Sequence, residues 1–148
     1  MADSFGRVSV MRRGSAVIVS NTHLQVTYEL STGLWSYADA SGHVVADGVG
    51  ARWTDIDGKA YGTSDPCRRV FRARPTESPE YGSGAEAIFR RGADEHPAAT
   101  DLILRVHSDL PFAILQLRVV NESEEPLRVD RFDVVEVPAL PGVPMGGV

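Results

Sequence analysis

A chain of 148 residues with 43% hydrophobic and 24% charged side chains can close one domain around a proper core, which excludes a disordered or low-complexity scaffold. Its net charge of −5 comes with no run of Lys and Arg long enough to follow a phosphate backbone, so nucleic acid is not expected as a partner. Cys67 is the single cysteine; no intrachain disulfide can form, and a thiolate zinc site would have to borrow ligands of other types.

Residues 1–14 carry Arg7, Arg12 and Arg13 ahead of a short apolar run, Ala16–Val19, that is far smaller than the core of an export signal. The segment reads as a flexible tail and the chain as cytoplasmic. From Ser15 onward the pattern has a period of two. Leu24, Val26, Tyr28 and Leu30 point to one side and Gln25, Thr27 and Glu29 to the other, the signature of a half-buried strand. Ser31-Thr32-Gly33 is a turn, Leu34–Ala38 a strand, Ser41-Gly42 a second turn, and Val44-Val45 a short strand.

Gly50–Ile56 forms the next strand and runs into Asp57-Gly58, a pair suited to a type I′ hairpin turn, with a return strand through Ala60 and Tyr61. Arg68–Arg74 alternates around Val70 and Phe71. After it, two prolines and two glycines between Pro75 and Gly84 predict a long loop. Glu86–Arg91, Asp101–His107, Phe112–Val120 and Leu127–Val135 complete the strands, with Pro97–Asp101 as a lead-in rather than a helix. About ten strands and no convincing helix predict an all-β fold, an antiparallel β-sandwich over residues 15–136. Residues 137–148, with three prolines and three glycines between Val137 and Val148, read as an interdomain linker cut short. No apolar stretch reaches the roughly 20 residues of a membrane helix, so no membrane partner is expected.

No complete catalytic constellation stands out. The histidines, His23, His43, His96 and His107, are dispersed without metal-ligand spacing, and neither a metal nor a cofactor is expected. Asp55-Ile56-Asp57-Gly58 resembles the opening of a calcium loop, but the distal glutamate is missing and a hairpin turn explains it better. Asp55, Asp57, Asp65, Glu80 and Glu86, in turns or on solvent-facing positions, read as solvated carboxylates rather than as a glycosidase pair. Asn121-Glu122-Ser123 is a glycosylation sequon that reads as a turn. Among the aromatics, Trp53 and Tyr81 lie by the turn-rich middle and are the candidate sugar-stacking residues. His107 and Glu86 are the one pair that could serve a small sugar-epimerase-like sandwich enzyme.

Three stretches in succession carry a family resemblance. They are Leu24-Gln25-Val26-Thr27-Tyr28-Glu29-Leu30-Ser31-Thr32-Gly33, then Glu80-Tyr81-Gly82-Ser83-Gly84, then Asp109-Leu110-Pro111-Phe112 followed by Leu117–Ser123 and Pro126–Val129. In this order the chain resembles the N-terminal domain of the α-galactosidase (melibiase) family, glycoside hydrolase family 36, across roughly residues 16–135. The resemblance implies a β-supersandwich of the galactose-mutarotase type that precedes a catalytic barrel, with the paired catalytic aspartates in that barrel and no catalytic residue in this chain. It also implies a neighbouring catalytic domain as partner, a share in oligomer contacts, and a loop lent to the substrate pocket. The expected function is therefore a supporting, non-catalytic domain. A freestanding carbohydrate-binding module is the alternative.

Overall fold

The computed structural model describes residues 2–137, and they form twelve strands without a helix. These are β1 (Ala2–Phe5), β2 (Val8–Arg13), β3 (Ala16–Ser20), β4 (Leu24–Glu29), β5 (Leu34–Asp39), β6 (Val44–Asp55), β7 (Ala60–Gly62), β8 (Arg69–Ser78), β9 (Gly82–Arg91), β10 (Ala99–His107), β11 (Ala113–Val120) and β12 (Val129–Glu136). Two antiparallel sheets make the sandwich. The larger runs β1-β2-β3-β4-β5-β6-β12, with β7 also paired to β6, and the smaller runs β11-β10-β9-β8. Strand order follows chain order until β12, which crosses back to the larger sheet.

The alternation that predicts the strands also builds the core. Val17, Val19, Val26, Tyr28 and Trp35 are buried from the larger sheet, and Ala85, Ala87, Phe89, Leu102, Leu104 and Val106 from the smaller. Tyr28 stacks on Phe89 with ring centroids 3.9 Å apart, and burial pushes the Tyr28 phenol up to about 12. Two polar links tie the sheets at opposite ends. The Asn21 side-chain amide donates to the His107 and Leu110 carbonyls at 2.7 and 2.8 Å. At the other end the buried Arg69 guanidinium, on β8, donates to the carbonyls of Thr63, Leu30, Ser31, Cys67 and Asp65 at 2.6–3.4 Å.

Four expectations are corrected. The flexible tail over residues 1–14 is instead β1 and β2, a hairpin whose Val8 and Val10 are buried; Val8-Ser9-Val10 carries the same alternation, masked by the flanking arginines. The long loop from Pro75 to Gly84 is mostly strand. Pro75 pairs opposite Ala85 on β8, an edge strand, where a missing N–H costs no ladder bond on the open side. Val44-Val45 and Gly50–Ile56 are one long strand, β6, which pairs with β5 along its first half and with β7 and β12 along its second. The turn at Asp57-Gly58 is not type I′, which needs positive φ at two positions. Asp55 and Lys59 close a three-residue loop in which only Gly58, at φ 85°, is left-handed. Asp55 caps it by accepting from the Asp57 and Lys59 amides at 2.9 and 3.0 Å, which leaves no calcium loop. The linker expected over residues 137–148 lies, apart from Val137, outside the described residues.

Gly33 tests the Arg69 end. Its φ is +73°, and a Cβ there would sit 1.9 Å from the Thr63 carbonyl oxygen and 2.5 Å from Arg69 Nε. Gly33→Ala is expected to cost roughly 3 kcal/mol or more in urea unfolding, because backbone must move and the guanidinium loses its seat. Gly42→Ala, at φ +85° with nothing within 4 Å of a Cβ, should cost only about 1–2 kcal/mol.

Candidate functional site

A cleft of about 660 Å³ opens where β5, β6, β7 and β12 meet. Three features shape it. Gly48, Gly50 and Gly62 leave its walls as bare backbone, Leu34 supplies an apolar surface, and Arg52, Asp65 and Glu136 bring charge. Arg52 reaches the lip because it stands on β6 opposite Asp133 of β12, and its Nε lies against Glu136 Oε1 and, at 3.4 Å, Asp133 Oδ2.

Asp65 is the most constrained of the three. Its Oδ2 accepts from the Gly62 amide at 3.0 Å and pairs with His96 Nε2 at 2.8 Å. A carboxylate oxygen accepts, so Nε2 carries a proton, and in the neutral ring Nδ1 is left as an acceptor. That Nδ1 is buried without a partner, as is Arg91 Nε, and these are the two such side-chain atoms among the described residues. Arg91 is anchored by donating from Nη1 to the Gly92 and Asp94 carbonyls in the loop that bears His96. The same loop holds Glu95 at φ 60°, the single non-glycine in the left-handed region among the described residues. Burial lowers the His96 pKa and the nearby Arg91 charge lowers it further, against the opposing pull of Asp65. The ring is therefore neutral at pH 7. Tyr61 meets it edge-on at 4.9 Å, with burial raising the Tyr61 pKa and the hydrogen bond to Asp55 adding to that rise.

Chemically, the cleft offers carboxylate acceptors and a guanidinium donor beside exposed backbone, a set suited to the hydroxyls of a polar ligand. None of its residues stands out in sequence, because the Asp65–His96 contact spans 31 positions and has no local spacing. The isolated Gly92–His96 loop, rich in acids, is the only local trace of it.

The two candidate sugar-stacking residues are not together. Trp53 is 0% exposed; its indole N–H donates to Thr100 Oγ1 at 3.0 Å and its ring stacks on Tyr61 at 4.5 Å. It belongs to the core and cannot receive a sugar, because a ring on the inward face of β6 meets the smaller sheet. Tyr81 is 39% exposed and forms an edge-to-face pair with exposed Phe112 at 6.0 Å, over buried His107. Thr100 and His107 lie toward opposite ends of β10, which separates the two sites by roughly 23 Å of strand. The epimerase-like pair is not assembled either. Glu86 is engaged by Arg74 and Arg105, and His107 Nδ1 donates to the Gly82 carbonyl at 3.0 Å. Asn121 makes the expected turn, its Oδ1 accepting from the Ser123 amide at 3.1 Å. Among the described residues no three His, Cys, Asp or Glu side chains cluster to hold a metal, and no helix is long and apolar enough to cross a membrane.

Comparisons with protein-family models, with curated proteins and with solved structures return no match for this chain.

The neutral state of buried His96 makes stability depend on pH with a definite sign. A folded pKa below the unfolded one means the unfolded chain binds the extra proton. The contribution is therefore fully present above about pH 6.5 and is lost progressively as the pH falls below it. Urea midpoints should decline on acidification in that window, and His96→Gln, which keeps a donor toward Asp65, should flatten the decline.

Proposed function

We propose that this chain is a supporting β-sandwich domain of an α-galactosidase-like glycoside hydrolase, which carries no chemistry of its own and packs against a catalytic barrel whose substrate pocket it helps to shape. The reading rests on the succession of the three resembling stretches, and one structural observation favours it above others. The open cleft, with Arg52, Asp65 and Glu136 beside an apolar wall, lies at the β6–β7–β12 corner, and edge strand β12, which lends it Glu136, also exposes Phe132 and Val135. An apolar edge beside a hollow of mixed character suits a domain that is covered on one side and faces a sugar-binding pocket on the other.

The encoding gene tests it directly. An in-frame continuation past Val148 into a barrel with paired aspartates supports the reading, and Phe132→Ser with Val135→Ser should then weaken the whole enzyme's stability while leaving this domain folded. A frame that closes after Val148, with no glycosidase bound to the protein in its native extract, overturns it.

The exposed Tyr81–Phe112 pair favours a second reading, a freestanding carbohydrate-binding module, since an exposed ring face can stack on a pyranose. Tryptophan fluorescence would miss such binding, because Trp35 and Trp53 are both buried. Ring resonances of Tyr81 and Phe112 should instead shift on titration with galactosides to millimolar concentration, and Tyr81→Ala should abolish the shift at Phe112. Unmoved resonances dismiss this reading.

A further inference from the structure

The outward face of the four-stranded sheet is built differently from the rest of the molecule. Register places the side chains in cross-strand rows. One row reads Arg74, Glu86, Arg105 and another Arg90, Asp101, Arg118, each a carboxylate held between two guanidiniums. Asp101 is wholly buried. It accepts from Arg90 Nε and Nη2 at 2.7 and 2.9 Å and from Arg118 Nε and Nη2 at 3.0 and 2.7 Å. Burial alone would raise its pKa, but the two arginines outweigh that and hold it below the usual carboxylate value. Glu86 is held more loosely, by Arg74 Nη2 at 2.9 Å and Arg105 Nε at 3.4 Å. Between the rows lies Arg72-Ile88-Ile103, and both isoleucines are buried, at 3% and 1% exposure.

A cover that only shields two isoleucines needs no excess of charge. Here five guanidiniums stand over two carboxylates, with Glu122 approaching Arg90 Nη1 at 3.6 Å from outside, on a chain whose net charge is −5. Arg72 makes no hydrogen bond or ion pair among the described residues, and the side chains of Arg74, Arg90 and Arg118 are 38–55% exposed. The buried carboxylates fix the guanidinium planes and leave donors unspent, so their ordering cost is already met before any ligand arrives. The rows stand four residues apart along the strands, about 13 Å.

We infer that this face binds a polyanionic polysaccharide, its carboxylate or sulfate groups seated on the two arginine rows and on Arg72 between them. The charge excess favours an anionic partner over a neutral one. A folded protein is disfavoured as that partner because the isoleucines at the centre of the face lie under the arginines and the one strongly exposed apolar side chain in these rows, Val70 at 51%, stands alone at the β8 edge beside Arg90. This inference stands apart from the reading of the cleft and of Tyr81, which lie on other surfaces.

The test is affinity electrophoresis and titration of the 148-residue chain with polygalacturonate and heparin, with dextran as neutral control. Retention by one or both anionic glycans and not by dextran is expected, weakening with salt. Arg72→Ser, which removes no internal bond, should lower the slope of log affinity against log salt by about one and Arg72→Ser with Arg74→Ser by about two, whereas Arg13→Ser on the opposite sheet should change neither. A polygalacturonate response without a heparin response assigns the site to uronates, and the reverse assigns it to sulfates. No retention by either at about 50 mM salt, equal weakening by Arg13→Ser, or equal or tighter binding of polyglutamate or single-stranded DNA overturns the inference.

Discussion

Arg69 is a full positive charge placed inside the sandwich and met by five backbone carbonyls rather than by a carboxylate. Removing an ion from water costs several kcal/mol unless its donors are used, and here the fork geometry of the guanidinium allows all three nitrogens to be used at once. The carbonyls come from the β4–β5 turn (Leu30, Ser31) and from the β7–β8 connection (Thr63, Asp65, Cys67), so one side chain of the smaller sheet ties down two loops. Gly33 belongs to the same construction, since only a residue without Cβ leaves room for it. Asn21 does the equivalent at the far end of β4. Between these two ties Tyr28 stacks on Phe89, and the Trp53–Thr100 bond lies at the Arg69 end, where Thr100 stands opposite Arg91.

The corner behind the Arg69 tie is also where the candidate cleft and its strained loop lie. Arg91 stands directly opposite Arg69 in the β8–β9 ladder, so two buried cations share one end of the sheet. Both donate to backbone carbonyls, and burial together with the Arg91 charge keeps His96 beside them neutral. Asp65 connects the two environments, because its carbonyl accepts from Arg69 while its carboxylate holds His96 and faces the cleft. The outward face of the same sheet resolves the problem in the other way, with carboxylates buried and arginines outside.

Much of this could be read along the chain and some of it could not. The strands from Ala16 to Asp39 and from Ala99 to Val120 follow from period-two alternation, and the turns at Asp55–Lys59 and Asn121–Ser123 follow from short polar side chains that cap their own backbone. The N-terminal hairpin and the β8–β9 hairpin were hidden, the first by arginines that snorkel and the second by a proline that an edge strand tolerates. Of the two candidate stacking residues, Tyr81 is on the surface and Trp53 is not, although both precede polar or glycine-rich turns. Asp65 and His96 carried no mutual signal, since their contact spans 31 positions and exists only once the fold joins them.

Alternation and turn chemistry are local properties, decided within a few residues, and so the sequence by itself determined that this polypeptide folds into pleated antiparallel layers and roughly where each bends. Which aromatic faces inward, which arginine meets which carboxylate and where a hollow opens depend on register between strands and on the crossing of β12 back to the larger sheet. Those are contacts between residues tens of positions apart, and only the closed sandwich selects them.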